Sequence, residues 1–146
     1  MGRASILVLT VAVLAGCGGG GGQRLSKADY ASKADGICGK YSQQTKALGN
    51  PSNVKELADV ADKTLPILDH AISDLKQLKP PADEQALADQ WIVQVGFLKR
   101  DLQEIRDKAK AGDLAGVQAV VPRAQEHNSK SNELATTLGM SVCNKD

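Results

Sequence analysis

Three cysteines, two histidines and two Ser-x-x-Lys pairs are the residues of this 146-residue chain whose chemistry reaches beyond packing. Paired imidazoles hold a metal when both converge on one point, and His70 and His127 are the only candidates. Helical phase argues against convergence: His70 falls about 160° from the centre of its segment's apolar stripe, His127 about 60° from its own. The Glu-x-x-His spacing of carboxylate di-iron bundles is missing, because Asp69 and Glu126 directly precede the histidines. Covalent haem attachment needs Cys-x-x-Cys-His, which is absent. Ser52-x-x-Lys55 and Ser73-x-x-Lys76 each set a hydroxyl near an amine, but no Ser-Asp-Asn or Lys-Thr-Gly partner accompanies them. There is no Gly-x-Ser-x-Gly elbow, and a Cys–His nucleophile would require Cys38 to stay unpaired. The reading is a protein without metal or cofactor and not an enzyme.

The remaining chemistry belongs to Cys17. Arg3 is followed by the apolar run Ile6 to Ala15, the charged and hydrophobic regions of a secretory leader, too short for a stable membrane span. The run ends in Leu14-Ala15-Gly16-Cys17, which resembles the lipobox of bacterial lipoproteins. That resemblance implies a diacylglyceryl group, with palmitate-type chains, on the Cys17 sulfur and cleavage after Gly16. It also implies a chain held by its lipid on the extracytoplasmic face of a cell membrane. Residues 1–16 are then the signal peptide and 17–25 the lipidated cysteine with a glycine-rich tether. The tether includes Gly18 to Gly22, which behaves as a flexible coil. Residues 26–146 form one domain.

The charge balance excludes other anchors. Lys and Arg total 18 against 17 Asp and Glu, and losing Arg3 with the leader brings the two signs level. No basic excess remains to recruit nucleic acid or an anionic membrane surface, so membrane contact is left to the lipid. With lipidation using Cys17, Cys38 and Cys143 are an even pair in an exported chain and read as one disulfide. Two free thiols or a metal pair are the alternatives, and an oxidising compartment disfavours both.

Aromatic residues make up only 3% of the chain, so the core must come from Leu, Ile, Val and Ala, a composition that favours helices. A first helix begins at Ser26, with Asp29 as its capping partner. It carries the stripe Ala31, Ala34, Cys38, Tyr41, Thr45 and Leu48, and stops at Gly49. A second, capped by Ser52 or Asn53 with Glu56, carries Leu57, Ala61, Leu65, Leu68, Ile72 and Leu75, with a kink expected at Pro66. Pro80-Pro81 ends it. The third spans about Ala82 to Ala111 on the stripe Leu87, Trp91, Val95, Leu98, Leu102, Ile105 and Ala109. Gly112-Asp113 leads into a fourth, Leu114 to Leu138, with a second expected kink at Pro122 and a stop at Gly139. The expected fold is all-α, a four-helix up-down-up-down bundle. To pair with Cys38, the tail from Met140 to Val142 must fold back along that bundle.

Two features do not fit a single buried stripe. Ile92, Val93 and Phe97 lie off the third stripe; Val93 and Phe97, one turn apart, should share a face, with Ile92 outside the pair. This is a candidate interaction surface, with Phe97 covered internally and Val93 left for a partner. His127, Asn128 and Ser131 interrupt the fourth stripe, either lining a small polar pocket or setting helix register. Cys38 in the first helix, the Pro-Pro turn, Gly-Asp before the last helix and Leu138-Gly139 ahead of Cys143 together resemble small helical envelope lipoproteins of actinobacteria-like genomes. That resemblance implies a fold and a disulfide and no catalytic residue. The functional expectation is a membrane-anchored interaction or structural module that binds an envelope protein. Its alternative is a carrier or sensor holding a small molecule between kinked helices.

Overall fold

The computed structural model describes residues 23–145. Cys17, the leader before it and the glycine run behind it lie outside the described residues.

Four helices in antiparallel succession form the bundle: α1 Lys27–Lys46, α2 Val54–Gln77, α3 Gln85–Lys110 and α4 Leu114–Thr137. A 3-10 turn, Ala82–Glu84, precedes α3, so the third helix starts one turn later than its sequence pattern suggests. Local chemistry accounts for the boundaries. Ser26 Oγ accepts the Asp29 N–H at 3.1 Å, and Asn53 Oδ1 accepts the Glu56 N–H at 2.9 Å. The Glu56 carboxylate reaches back to the N–H and hydroxyl of Ser52. Gly139 stands at φ +83° just past the end of α4, a left-handed stop that a side chain would strain. α2 and α4 stay helical on both sides of Pro66 and Pro122, each proline on the exposed face.

Small residues let the helices approach closely: Ala34 and Ala135 are fully buried, and Ala61, Ala88 and Ala109 nearly so. The core falls into two clusters. One, at the end where the chain enters, gathers Tyr30, Ala34, Leu75, Trp91, Ala135 and Leu138 from all four helices and their ends. The other, at the far end, joins Ala58, Ala109 and Val117 from α2, α3 and α4 and includes nothing from α1. α3 packs extensively on both α2 and α4, whereas α1 packs more lightly, chiefly on α2. Trp91 is the largest buried side chain at 1% exposure, and truncating such a residue costs about 3–5 kcal/mol.

The entry end is tied together by hydrogen bonds. Leu25 donates its N–H to the Lys79 carbonyl at 2.9 Å, and Arg24 Nη1 donates to the Pro80 carbonyl and Gln85 Oε1. Lys27 Nζ bridges Glu84 Oε1 at 2.5 Å and the Thr137 carbonyl at 3.1 Å. The segment leading back to the tether is thereby fixed to the α2–α3 connection and to the end of α4. Among the described residues no helix is long and apolar enough to cross a membrane.

Candidate functional site

The tail after Gly139 turns back along α1. Met140, buried at 2% exposure, donates its N–H to the Ala135 carbonyl. The Asp35 carboxylate then accepts the N–H groups of Ser141, Val142 and Cys143 at 2.8, 2.8 and 3.0 Å, and the Ser141 hydroxyl at 2.9 Å. Burial would raise the Asp35 carboxyl, but these hydrogen bonds outweigh it and hold the group below the usual carboxylate range. One turn further along α1, Cys38 is disulfide-bonded to Cys143, with the two Cα atoms 5.3 Å apart.

That tail forms one rim of a cleft of about 390 Å³ between the helices. Along α2, α3 and α4 the cleft runs from the edge of the first core cluster toward the second, at Thr64–Leu75, Trp91–Leu98 and Asn128–Asn132, and Cys38–Lys46 of α1 flanks it. Its two sides differ in chemistry. Ile67, Leu68, Ala71 and Leu75 of α2, with Trp91, Val95 and Leu98 of α3, form an apolar wall. Opposite stand Tyr41, Ser42 and Thr45 of α1 with Asn128, Ser131 and Asn132 of α4, a wall of hydroxyls and amides. Tyr41 is itself oriented by donating to Asp74 Oδ2 at 2.7 Å. Exposed Lys46 and Lys145 border the cleft where it meets solvent, and among the described residues no acidic side chain lines it. The volume falls within the roughly 300–1,000 Å³ of small-molecule sites.

The proposed polar trio is divided by the fold. Asn128 and Ser131 line this cleft, Ser131 at 4% exposure, but His127 turns to the α3 side of α4. There its Nδ1 lies 2.6 Å from Oδ2 of Asp101, a carboxylate buried to 3% exposure. Arg123 Nε donates to Asp101 Oδ1 at 2.8 Å, and Arg123 Nη2 to Glu104 Oε2 at 2.6 Å. Burial pushes the Asp101 carboxyl up, while hydrogen bonds from His127 and Arg123 and the Arg123 charge carry it below its ordinary value. An aspartate that orients an imidazole serves acyl transfer when a hydroxyl or thiol stands beyond the ring. The shallow pocket here is lined by Phe97, Arg100, Asp101, Glu104, Arg123 and His127, and offers His127 neither. What the arrangement does is pin α4 to α3.

The off-stripe residues of α3 are also rearranged. Phe97 and Val93 do not act as one pair: Phe97 stacks on the His127 ring with centroids 4.9 Å apart, and the Arg100 guanidinium lies over the Phe97 ring, 4.4 Å from its centroid. The cover of Phe97 is internal and comes from α4. Ile92, expected to stand apart, instead shares with Val93 a surface groove of about 500 Å³ beside Tyr30, Leu78 and Pro80, and Val93 is 51% exposed. His70 is exposed on α2, and Ser52 is occupied as the partner of Glu56. No group of three or more His, Cys, Asp or Glu side chains that could hold a metal occurs among the described residues.

Sequence pattern gave no sign of Asp101. An aspartate between Arg100 and Leu102 has the look of a solvated charge, and only the opposing phase of Arg123 and His127 on another helix brings it inside. No family model, curated protein or solved structure matches this chain.

Proposed function

We propose that this protein is a lipid-anchored carrier or sensor that binds a small molecule inside its helical bundle, on the extracytoplasmic side of a membrane. The cleft between the helices is the observation that supports this reading. A bundle serving only as a scaffold gains stability by filling its middle, since interiors pack densely and unfilled space costs contacts. Here a cleft of about 390 Å³, open to solvent, is walled by seven largely apolar side chains on one side. The lipobox motif supports the address, and the disulfide suits an oxidising compartment.

Native mass spectrometry of the chain purified from its own envelope is the direct test. A bound small molecule should be retained by the native chain and lost from Ala71→Phe, which places an aromatic ring in the cleft. Retention of nothing by either chain would end this reading.

A second reading is supported by the groove at Ile92 and Val93: an interaction module that docks another envelope component on α3. Val93 is the observation in its favour, an apolar side chain more than half exposed beside an open groove.

A further inference from the structure

The cleft's two-sided lining narrows the class of molecule it suits. Resting on the small-molecule reading above, we infer that the ligand is a single-chain amphiphile with an anionic head, a carboxylate or a phosphate on an aliphatic body. The apolar body lies against the α2–α3 wall, where Ile67, Leu68, Val95 and Leu98 offer no hydrogen-bonding group. The head sits at the α1–α4 side, among the hydroxyls of Ser42 and Thr45.

Charge decides the sign of that head. Lys46, at the end of α1, and Lys145, in the tail, both border the cleft, and neither side chain forms an ion pair among the described residues. By contrast Lys27 is matched with Glu84, Lys40 with Asp74, Lys99 with Asp69 and Lys110 with Asp62. With no carboxylate in the lining among the described residues, two ammonium groups attract an anion and repel a cation. The disulfide and the Asp35 hydrogen bonds hold the tail, and with it the Lys145 backbone, against this mouth.

The chain supplies its own probe, because Trp91 is its only tryptophan and borders the cleft. The experiment titrates residues 18–146, exported behind a separate cleavable leader so that neither lipid nor apolar leader remains and purified without detergent, with laurate, dodecyl phosphate, dodecanol and dodecyltrimethylammonium, all below micelle-forming concentrations. Trp91 fluorescence should respond saturably to laurate or dodecyl phosphate, and those two arms separate a carboxylate from a phosphate head. Dodecanol and the cation should bind at least about tenfold more weakly, as should laurate to Lys46→Glu/Lys145→Glu, whose exposed positions leave the fold intact. Equal binding of laurate, dodecanol and the cation overturns the inference. So does an envelope-derived ligand seen by mass spectrometry alongside no response to any of the four, an outcome that leaves the small-molecule reading standing. No ligand in either experiment removes both.

Discussion

The Asp35 carboxylate accepts the backbone N–H of Cys143 at 3.0 Å, while the sulfur of that same residue is bonded to Cys38, one turn along the helix. The C-terminal tail is therefore held to α1 twice, once by a covalent bond and once by a charge. The two attachments fail under different conditions, and this makes them separable.

Asp35 predicts an acid-sensitive contribution. Its carboxyl is lower in the folded chain than the roughly 3.9 of an unfolded aspartate, so the native state releases its proton first. The stabilisation is complete above the unfolded value and is lost as pH falls through the folded one. Asp35→Asn should cost about 1–3 kcal/mol at pH 7, and its gap from wild type should narrow in the acid limb. Urea unfolding at pH 7 and near pH 3 measures both; a gap of constant size across that range would contradict the assignment.

Reduction predicts a second loss, independent of pH in the acid range. The bridge spans a sequence separation of 105, for which chain entropy sets a ceiling of about 4–5 kcal/mol. Cys38→Ser/Cys143→Ser should lower the urea midpoint without changing the helical content read by circular dichroism. Labelling of free thiols in the non-reduced native chain would refute the pairing.

Asp101 predicts coupling between α3 and α4. Removing the buried charge with Asp101→Asn leaves Arg123 and His127 without their shared partner, at a cost of about 1–3 kcal/mol, moderated because Arg123 is half exposed. A double-mutant cycle with Arg123→Ala should show a clear interaction energy. Strictly additive losses would mean that the pair contributes nothing as a pair.

How much of this was readable beforehand varies by level. The helical stripes, their caps and the glycine stops are local, repeating signals, and Ala31, Ala34, Tyr41, Leu65 and Trp91 are buried as the stripes require. Cys38 and Cys143 were readable as a pair because only two thiols remained after Cys17. Asp101 and the division of His127 from Ser131 were not, since both depend on the rotation of α4 against α3. Nor was the cleft, because periodicity says which face of a helix turns inward and nothing about how closely two inward faces meet.

Val93 predicts a surface without a structural role. Val93→Glu should leave the unfolding midpoint within about 0.5 kcal/mol of wild type, since the side chain is more than half exposed. Site-specific crosslinking through neighbouring Gln90 in intact envelopes should capture a protein if this groove docks one, and Val93→Glu should abolish the capture. An equal yield from both chains would remove the support for that second reading.

Cys17 predicts the address. Intact-mass analysis of the membrane fraction should find a chain beginning at Cys17 with an added diacylglyceryl mass, and Cys17→Ala should remain unprocessed. An unmodified Cys17 in the wild-type chain would end the lipoprotein assignment.

The bonds from Arg24 and Leu25 to the α2–α3 connection fix which end of the bundle adjoins the tether. The cleft begins at Cys38 and extends to Lys46, about 15 to 30 Å up the α1 axis from Lys27 at 1.5 Å per residue. For a chain anchored at Cys17 and standing upright on its tether, the opening would stand clear of the lipid headgroups, in the aqueous layer above them. Cargo would have to arrive and depart through water, as a dissolved monomer or by hand-over from another protein. Sideways exchange with the bilayer that holds the anchor would require the bundle to lie down on its tether.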